Sequence, residues 1–81
     1  MIDIIIPVYN GEKYIEKLLK CFVKQKMSNF KLIFVNDGSK DRSLEILNLQ
    51  KEKYKFPIII LSQENSGVSS ARNKGILYST S

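Results

Sequence analysis

Three apolar runs, each followed by a longer stretch of mixed polar and apolar residues, divide the chain into similar units. The runs cover residues 2–6, 31–36 and 58–61, and they are rich in β-branched side chains. They scarcely alternate between apolar and polar positions, which is typical of strands covered on both faces of a parallel sheet. We therefore predict three strands, and we expect Pro7 to end the first because proline has no N–H for the ladder.

The segment after the first run carries a helical pattern. From residue 12 to about residue 26, apolar side chains recur at the i, i+3 and i+4 spacing of an amphipathic helix, and Asn10 is a suitable N-cap. The predicted core face of this helix consists of Tyr14, Ile15, Leu18, Leu19, Phe22 and Val23.

Two further helices follow the second and third runs. Either Ser39 or Asp41 can cap the second helix, which runs to about residue 54 and places Leu44 and Leu47 in the core. The third predicted helix runs from about residue 68 to residue 78, and the face that it turns to the sheet consists of Val68, Ala71 and Gly75.

This order of elements, β-α-β-α-β-α, predicts a single Rossmann-like α/β domain over residues 1–81. The connections are long enough only for crossover helices, so the three strands are expected to be parallel, in the order 3-2-1, with the first two helices on one face and the third on the other. The chain stops after a helix that should lead to a fourth strand, so we expect a truncated domain. Its first strand would be an open apolar edge, which predicts self-association.

Composition excludes several classes of site. One cysteine, Cys21, and no histidine leave no internal disulfide, no Cys/His zinc site and no His-based triad. No apolar run approaches the roughly 20 residues that span a bilayer, and no signal peptide is present, so we expect a cytoplasmic location.

The net charge of +5 raises the question of a polyanionic partner. A stripe of lysines lies opposite the apolar face of the first helix: Lys13, Lys17, Lys20 and Lys24. This pattern favours a solvated helix face over a nucleic-acid surface, because the aromatic side chains that would stack on bases point inward. Attraction to an anionic membrane surface is the alternative, at the inner face of the membrane.

Polar residues follow each predicted strand, where α/β sheets bind ligands. Tyr9 and Asn10 follow the first strand, Asp37 and Ser39 the second, and residues 63–67 the third. A carboxylate, an aromatic ring and helix-start N–H groups suit a nucleoside with its phosphates, so these residues predict a nucleotide or sugar-phosphate binder. Neither Gly-x-Gly-x-x-Gly nor Gly-x-x-x-x-Gly-Lys-Ser/Thr follows a strand, which argues against a dinucleotide or NTP site of those types.

Three motifs in this order resemble the amino-terminal half of a family 2 glycosyltransferase. They are Ile-Ile-Pro-Val-Tyr-Asn at residues 5–10, Val-Asn-Asp-Gly-Ser-Lys-Asp at residues 35–41 and Glu-Asn-Ser-Gly-Val-Ser-Ser-Ala-Arg-Asn-Lys-Gly at residues 64–75. The resemblance covers essentially the whole chain. It implies a GT-A fold and transfer of a sugar from a nucleotide-sugar donor, usually with inversion.

The resemblance also implies which residues meet the donor. The carboxylate matching Asp37 bonds the uracil ring of a UDP-sugar. The remaining residues of the implied nucleotide site line the base and ribose or lie close to them: Pro7, Val8, Tyr9, Glu12, Asn65 and Arg72. The acceptor would be a sugar or a lipid-linked sugar on the way to a bacterial surface or capsular polysaccharide.

Two parts of the family's machinery have no counterpart in the sequence. The Asp-x-Asp motif that holds Mg²⁺ or Mn²⁺ and the carboxylate that deprotonates the acceptor both lie further along in the family. We therefore expect no metal ligands, no catalytic residue and no turnover from these 81 residues alone.

Plainer interpretations stand beside these assignments. Asp37 could cap the helix that follows it, Asp41 is more readily a cap than a ligand, and Tyr9 could pack on the first helix. Arg72 could pair with Glu64 instead of a phosphate. The alternative function is a basic, non-enzymatic module that binds nucleotides or nucleic acid.

Overall fold

Strands and helices alternate along the chain in a computed structural model that describes residues 2–24 and 29–80. The elements are β1 (Ile2–Val8), α1 (Ile15–Val23), β2 (Phe30–Asp37), α2 (Ser43–Lys51), β3 (Ile58–Gln63) and α3 (Val68–Thr80). None of the described helices is long and apolar enough to cross a membrane.

The described strands form one parallel sheet in the order β1-β2-β3, with β2 in the centre. This is the predicted order. The pairing aligns the strand ends, since Val8 lies opposite Asn36 and Asp37 lies opposite Gln63. The loops that leave the three strands therefore start from a common edge of the sheet, which we call the carboxyl edge.

Side chains of β2 alternate between two apolar layers. Phe30, Leu32 and Phe34 enter the larger layer, which is covered by α1 and α2. Ile33 and Val35 point to the other face, where α3 packs on β1 and β2. All five side chains are buried, so β2 is covered on both faces. The two predicted faces of the sheet, with two helices on one and the third on the other, are confirmed.

The strands are longer than the apolar runs. The prediction that Pro7 ends β1 is wrong, because the strand continues to Val8 and Pro7 pairs with Val35. In the described sheet β1 is an edge strand, and an edge strand can lack one N–H without losing a ladder bond. Asp37 and Gln63 are the last residues of β2 and β3, whereas the sequence pattern placed both in loops.

α1 and α2 are shorter than predicted at their described ends, whereas α3 extends to Thr80, two residues past the predicted end. α1 begins at Ile15, three residues after the predicted start, and the predicted end at residue 26 lies outside the described residues. α2 spans only Ser43–Lys51. Four of the predicted core side chains are exposed, because they lie at helix ends or turn away from the sheet: Tyr14, Val23, Leu44 and Val68. The core positions Ile15, Leu19, Leu47 and Ala71 are confirmed.

Candidate functional site at the carboxyl edge

Asp37 ends the central strand and lies almost wholly inside the protein, with 4% of its surface exposed. Its Oδ1 accepts hydrogen bonds from Gln63 Nε2 and from the backbone N–H of Ser66, both at 2.8 Å. Its Oδ2 accepts one from the backbone N–H of Gly67 at 2.9 Å. We call Asp37 and these three donors the carboxylate cage.

The cage holds Asp37 in its ionised form. The Gln63 side chain contributes most to lowering the pKa of Asp37, the Ser66 N–H adds to this effect, and burial opposes both. A carboxylate has about four acceptor positions, so three bonds leave one position on Oδ2. None of the described donors fills that position.

The position of the cage changes the interpretation of Asp37 as a cap. Ser66 and Gly67 immediately precede Val68, so Asp37 binds N–H groups at the start of α3. The alternative that Asp37 caps the helix that follows it, α2, is not what the structure shows. A carboxylate at the start of a helix is also favoured by the helix dipole.

Gly38 allows this close approach. It has a φ of +67°, and a Cβ built on it would lie 2.6 Å from the backbone nitrogen of Asn65. Asn65 itself donates from Nδ2 to the backbone oxygen of Asp37 at 3.1 Å. The loop after β3 is thus bound to the end of β2 by the Asn65 side chain as well as by backbone N–H groups.

A second set of hydrogen bonds joins the loop after β1 to the loop after β2. Asp41 Oδ2 accepts from the Glu12 N–H at 3.2 Å, and Ser43 Oγ accepts from the Gly11 N–H at 2.7 Å. Asp41 Oδ1 accepts from both the N–H and the O–H of Ser43. Burial raises the pKa of Asp41, but these hydrogen bonds outweigh it and the pKa is lowered. The N-cap of α2 is Arg42, which forms no side-chain capping bond, so the predicted N-cap roles of Ser39 and Asp41 are wrong. Asp41 instead accepts the N–H of Ser43, the first residue of α2.

Asn10 belongs to the same connection, and its predicted role as N-cap of α1 is wrong. It adopts a left-handed φ of 50°, and its Oδ1 accepts from the Lys40 N–H at 2.8 Å. Its own N–H donates to Ser39 Oγ at 2.9 Å. The N-cap of α1 is Tyr14, which forms no side-chain capping bond. The N–H groups of residues 10–12 are thus occupied within the protein, although the sequence suggested that they could face a phosphate.

The predicted site residues of the first loop differ in what they offer. Val8 is fully buried in the larger core layer, so only its backbone can face a ligand. Pro7 is half-buried in β1, and Glu12 is half-buried just before α1. Tyr9 is 46% exposed, which leaves its ring available for stacking at the carboxyl edge.

Asn65 and Arg72, on the third segment, are both exposed. Arg72 lies in the amino-terminal half of α3. The ion pairs found among the described residues are Lys20–Glu16, Lys31–Asp3 and Arg42–Glu45, so Arg72 does not pair with Glu64. Its guanidinium is accessible from solvent and can meet an anion.

The sequence placed Gln63, Ser66 and Gly67 among the polar residues that could face a ligand, with Ser66 or Asn65 as a cap of the third helix, but it did not predict that they donate to Asp37. Two of them donate from the backbone, which carries no signature of its own. The sequence signal that could have identified Gln63 is its position two residues after the third apolar run, which places it beside Asp37 when the two strands pair.

A divalent metal does not fit the described residues. Within residues 2–24 and 29–80, no group of three or more Asp, Glu, Cys or His side chains could hold a metal ion. The oxygens of Asp37, at the end of β2, and of Asp41, in the loop after it, are engaged by protein donors.

Comparison with known proteins gives a consistent result. The profile of glycosyl transferase family 2 matches residues 3–81. The chain is 42% identical over 76 residues to the uncharacterized glycosyltransferase EpsJ of Bacillus subtilis, which is 94% of this chain and 22% of EpsJ. It is 38% identical over 78 residues to the minor teichoic acid biosynthesis protein GgaB of B. subtilis, which is 94% of this chain and 9% of GgaB.

A solved structure has the same fold. The crystal structure of residues 1–349 of S. aureus TarS superposes with a TM-score of 0.76 at 31% identity, over 94% of this chain and 23% of that chain. This likeness confirms the predicted fold class, a Rossmann-like α/β arrangement of the GT-A type.

The chain belongs to glycosyl transferase family 2. It spans less than a quarter of the length of EpsJ, GgaB and the TarS chain.

Proposed function

We propose that the chain is the nucleotide-binding part of a glycosyltransferase that transfers a sugar from a UDP-sugar to a polysaccharide or glycolipid acceptor. The observation that carries this proposal is the ionised Asp37 at the carboxyl edge, in a chain that belongs to family 2. Its remaining acceptor position on Oδ2 suits the N3–H of uracil, which is a donor flanked by two carbonyl groups.

Three other exposed groups complete the proposed donor site. Tyr9 would stack on the uracil ring, Arg72 would bind the diphosphate, and Asn65 would border the pocket close to the backbone of Asp37. Pro7 and the backbone of Val8 would line the ribose side, and Glu12 would lie at the margin. These roles rest on the geometry of the loops and on the family resemblance together.

The chemical step requires groups outside these residues. The family resemblance implies that the residues that hold Mg²⁺ or Mn²⁺ against the diphosphate, and the carboxylate base that activates the acceptor, are not among the three motifs of this chain. We therefore expect the 81 residues to bind nucleotide without transferring sugar.

Two relatives support the acceptor class. GgaB is named for minor teichoic acid biosynthesis, and a relative from Borreliella burgdorferi that is 37% identical over 75 residues is named cholesterol galactosyltransferase. A polymer or lipid acceptor would place the enzyme at the inner face of the membrane, where the exposed lysines of α1 would favour anionic lipid.

The first test is a titration of the ¹⁵N-labelled chain with UDP, CDP, GDP and NAD, followed by NMR. Saturable shifts that are strongest for UDP and centred on residues 7–9, 37–39 and 63–67 are expected. Equal binding of all four ligands, or the absence of saturable shifts from the folded chain, would overturn the proposal. A salt-dependent complex with RNA or DNA instead would favour the nucleic-acid alternative.

Paired variants separate base binding from phosphate binding. Tyr9→Ala should weaken both UDP and uridine about tenfold, because stacking on an aromatic ring contributes roughly 1–3 kcal/mol per base. Tyr78→Ala is the matched control, since Tyr78 is 41% exposed near the carboxyl-terminal end of α3. Arg72→Gln should weaken UDP and leave uridine unchanged, whereas Lys74→Gln, also exposed on α3, should leave both unchanged.

A further inference from the structure

Gln63 provides the side-chain donor of the carboxylate cage. It ends β3 directly opposite Asp37, and its Nε2 donates to Asp37 Oδ1 at 2.8 Å. The same nitrogen lies 3.5 Å from Ser70 Oγ on α3. Only the nitrogen of an amide can donate to a carboxylate, so these contacts fix which way the Gln63 amide faces.

We propose that Gln63 is a positioning residue for the nucleotide site. It holds Asp37 ionised and in one orientation, with Oδ1 satisfied inside the protein and Oδ2 left to accept the N–H of the base. The inference rests on the proposed function, because it assumes that Asp37 meets the nucleotide. Gln63 acts through Asp37 and makes no contact of its own with the ligand.

The cage explains why this role falls to Gln63. The donors from Ser66 and Gly67 are backbone N–H groups, which every substitution except proline leaves in place. The Gln63 amide is the one side-chain donor to Asp37 in the described chain, so replacing it removes a hydrogen bond without altering the backbone. Oδ1 would then keep a single bond, and the buried carboxylate would be free to rotate towards other donors.

No charged side chain of the described residues substitutes for Gln63. The charged groups of the adjoining segments are Glu64 and Arg72 around the start of α3, Lys40, Asp41 and Arg42 after β2, and Glu12 and Lys13 before α1. None of them donates to Asp37 or pairs with it in the described chain. The lowered pKa of Asp37 is accordingly due to hydrogen bonds alone, with the Gln63 side chain first among them.

Two substitutions and one control test the inference. Gln63→Leu removes the donor at similar volume, and Ser70→Ala removes only the second contact of the Gln63 amide. In Gln63→Leu the pKa of Asp37, followed by ¹³C NMR of its carboxyl carbon, should rise, and the Kd for UDP at pH 7 should increase roughly tenfold. In Ser70→Ala both quantities should stay close to those of the unsubstituted chain.

Gln63→Glu gives a readout that a purely structural role would not produce. At pH 7 the introduced carboxylate would repel Asp37, so UDP binding should be weaker than in Gln63→Leu. At about pH 5 the introduced group begins to protonate, and its O–H can replace the amide as donor to Asp37. The ratio of the variant's Kd for UDP to that of the unsubstituted chain is measured at pH 7 and at pH 5. Between these values the ratio should fall towards 1 in Gln63→Glu and stay constant in Gln63→Leu.

The outcomes distinguish this inference from the proposed function. If the folded, unsubstituted chain does not bind UDP, the proposed function is overturned and the role of Gln63 falls with it. If UDP binds and folded Gln63→Leu keeps both the affinity and the pKa of Asp37, only the role of Gln63 is overturned. If Gln63→Leu does not fold, Gln63→Glu provides the test. A ratio of its Kd for UDP to that of the unsubstituted chain that does not change with pH would then overturn the role of Gln63.

Discussion

Two glycines beside Asp37 adopt positive φ angles, Gly38 at +67° and Gly67 at +97°. Both conformations are unfavourable for residues with a Cβ. They differ in their surroundings, because a Cβ on Gly38 would meet the Asn65 backbone at 2.6 Å whereas a Cβ on Gly67 would meet nothing within 4 Å. Glycine is thus required at position 38 for two reasons: the backbone has a positive φ, and a side chain would clash with the loop after β3.

This difference predicts unequal costs of the same substitution. Gly67→Ala should lower the free energy of unfolding by about 1–2 kcal/mol, the cost of the left-handed conformation. Gly38→Ala should cost about 3 kcal/mol or more, because it adds a backbone clash to that conformation. Urea denaturation of both variants measures the difference. Equal losses in the two variants would show that the loops can separate without penalty.

The lowered pKa values of Asp37 and Asp41 predict a loss of stability in acid. Each group is more acidic in the folded chain than in the unfolded chain. Its contribution is therefore complete above the ordinary aspartate pKa of about 4 and disappears as the pH falls through the folded value. Thermal unfolding between about pH 6 and pH 2 should show a Tm that falls below pH 4.

Asp41→Asn should flatten this dependence without removing it, since Asp37 would still titrate. A Tm that stays level from pH 6 to pH 2 would contradict the assignment of both carboxylates as hydrogen-bonded anions. Glu45 also has a lowered pKa, owing first to its hydrogen bond with Arg42, but both partners are exposed. Salt should reduce the Glu45 contribution and leave that of the aspartates largely intact.

Helix α3 packs on the sheet through small residues. Ala71 is fully buried against Ile33 and Val35, and Gly75 lies where a Cβ would come within 2.5 Å of the Ile5 side chain. The described helix also donates from Ser79 Oγ to Asp3 Oδ2 at 2.6 Å. The small side chains let the backbone of α3 approach β1 closely.

Helix propensity and packing therefore have opposite effects at Gly75. Alanine is favoured over glycine in a helix by about 1 kcal/mol, so propensity alone predicts that Gly75→Ala is stabilising. We expect the contact with Ile5 to reverse the sign and to give a net loss of about 1–2 kcal/mol. Asn73→Ala, at an exposed position of α3, should be neutral or slightly stabilising. A double-mutant cycle with Ile5→Ala should show favourable coupling, and its absence would disprove the clash.

Sequence reasoning predicted the described sheet well for a physical reason. Continuous β-branched runs such as that of β2 identify strands buried on both faces, and short connections leave only right-handed crossovers. The prediction was wrong where tertiary contacts determine the ends of the helices. Asn10 is a residue type that commonly caps helices, but its side chain accepts from the backbone N–H of residue 40 instead. Tyr14 fits the apolar stripe of α1, but the helix begins only at the following residue.

The candidate site was predicted at the level of its location. Asp37 was predicted to follow the second strand directly and is in fact its last residue, a difference of one position, because the end of an apolar run can be read from the sequence. Its partners Ser66 and Gly67 lie about thirty residues away and donate from the backbone, so no local sequence pattern predicts these hydrogen bonds. The full burial of Val8 depends likewise on how both helices pack over the strand end.

The edge of the described sheet formed by β1 predicts association of the chain with itself. Ile2 is 56% exposed on this strand, and edge strands expose unpaired backbone groups. Sedimentation velocity should show a concentration-dependent dimer that Ile2→Lys weakens. Leu49→Lys is the matched control, because Leu49 is 58% exposed on α2, which packs near β3. A monomer at every concentration, or equal effects of the two lysines, would contradict this prediction.

The carboxyl end of β2 and the loop after it hold the loops on both sides, since Asp37 bonds the start of α3 while Asp41 and Ser43 bond residues 11 and 12. This has a practical consequence for protein engineering. A fluorescent label, an affinity tag or an inserted peptide between residues 37 and 43 would disturb all three loops at once. The turn after α2 is the better insertion site, because Glu52 and Lys53 are exposed there and the turn precedes β3 at the end of the sheet opposite the carboxyl edge. A reporter inserted there would leave the carboxyl edge intact.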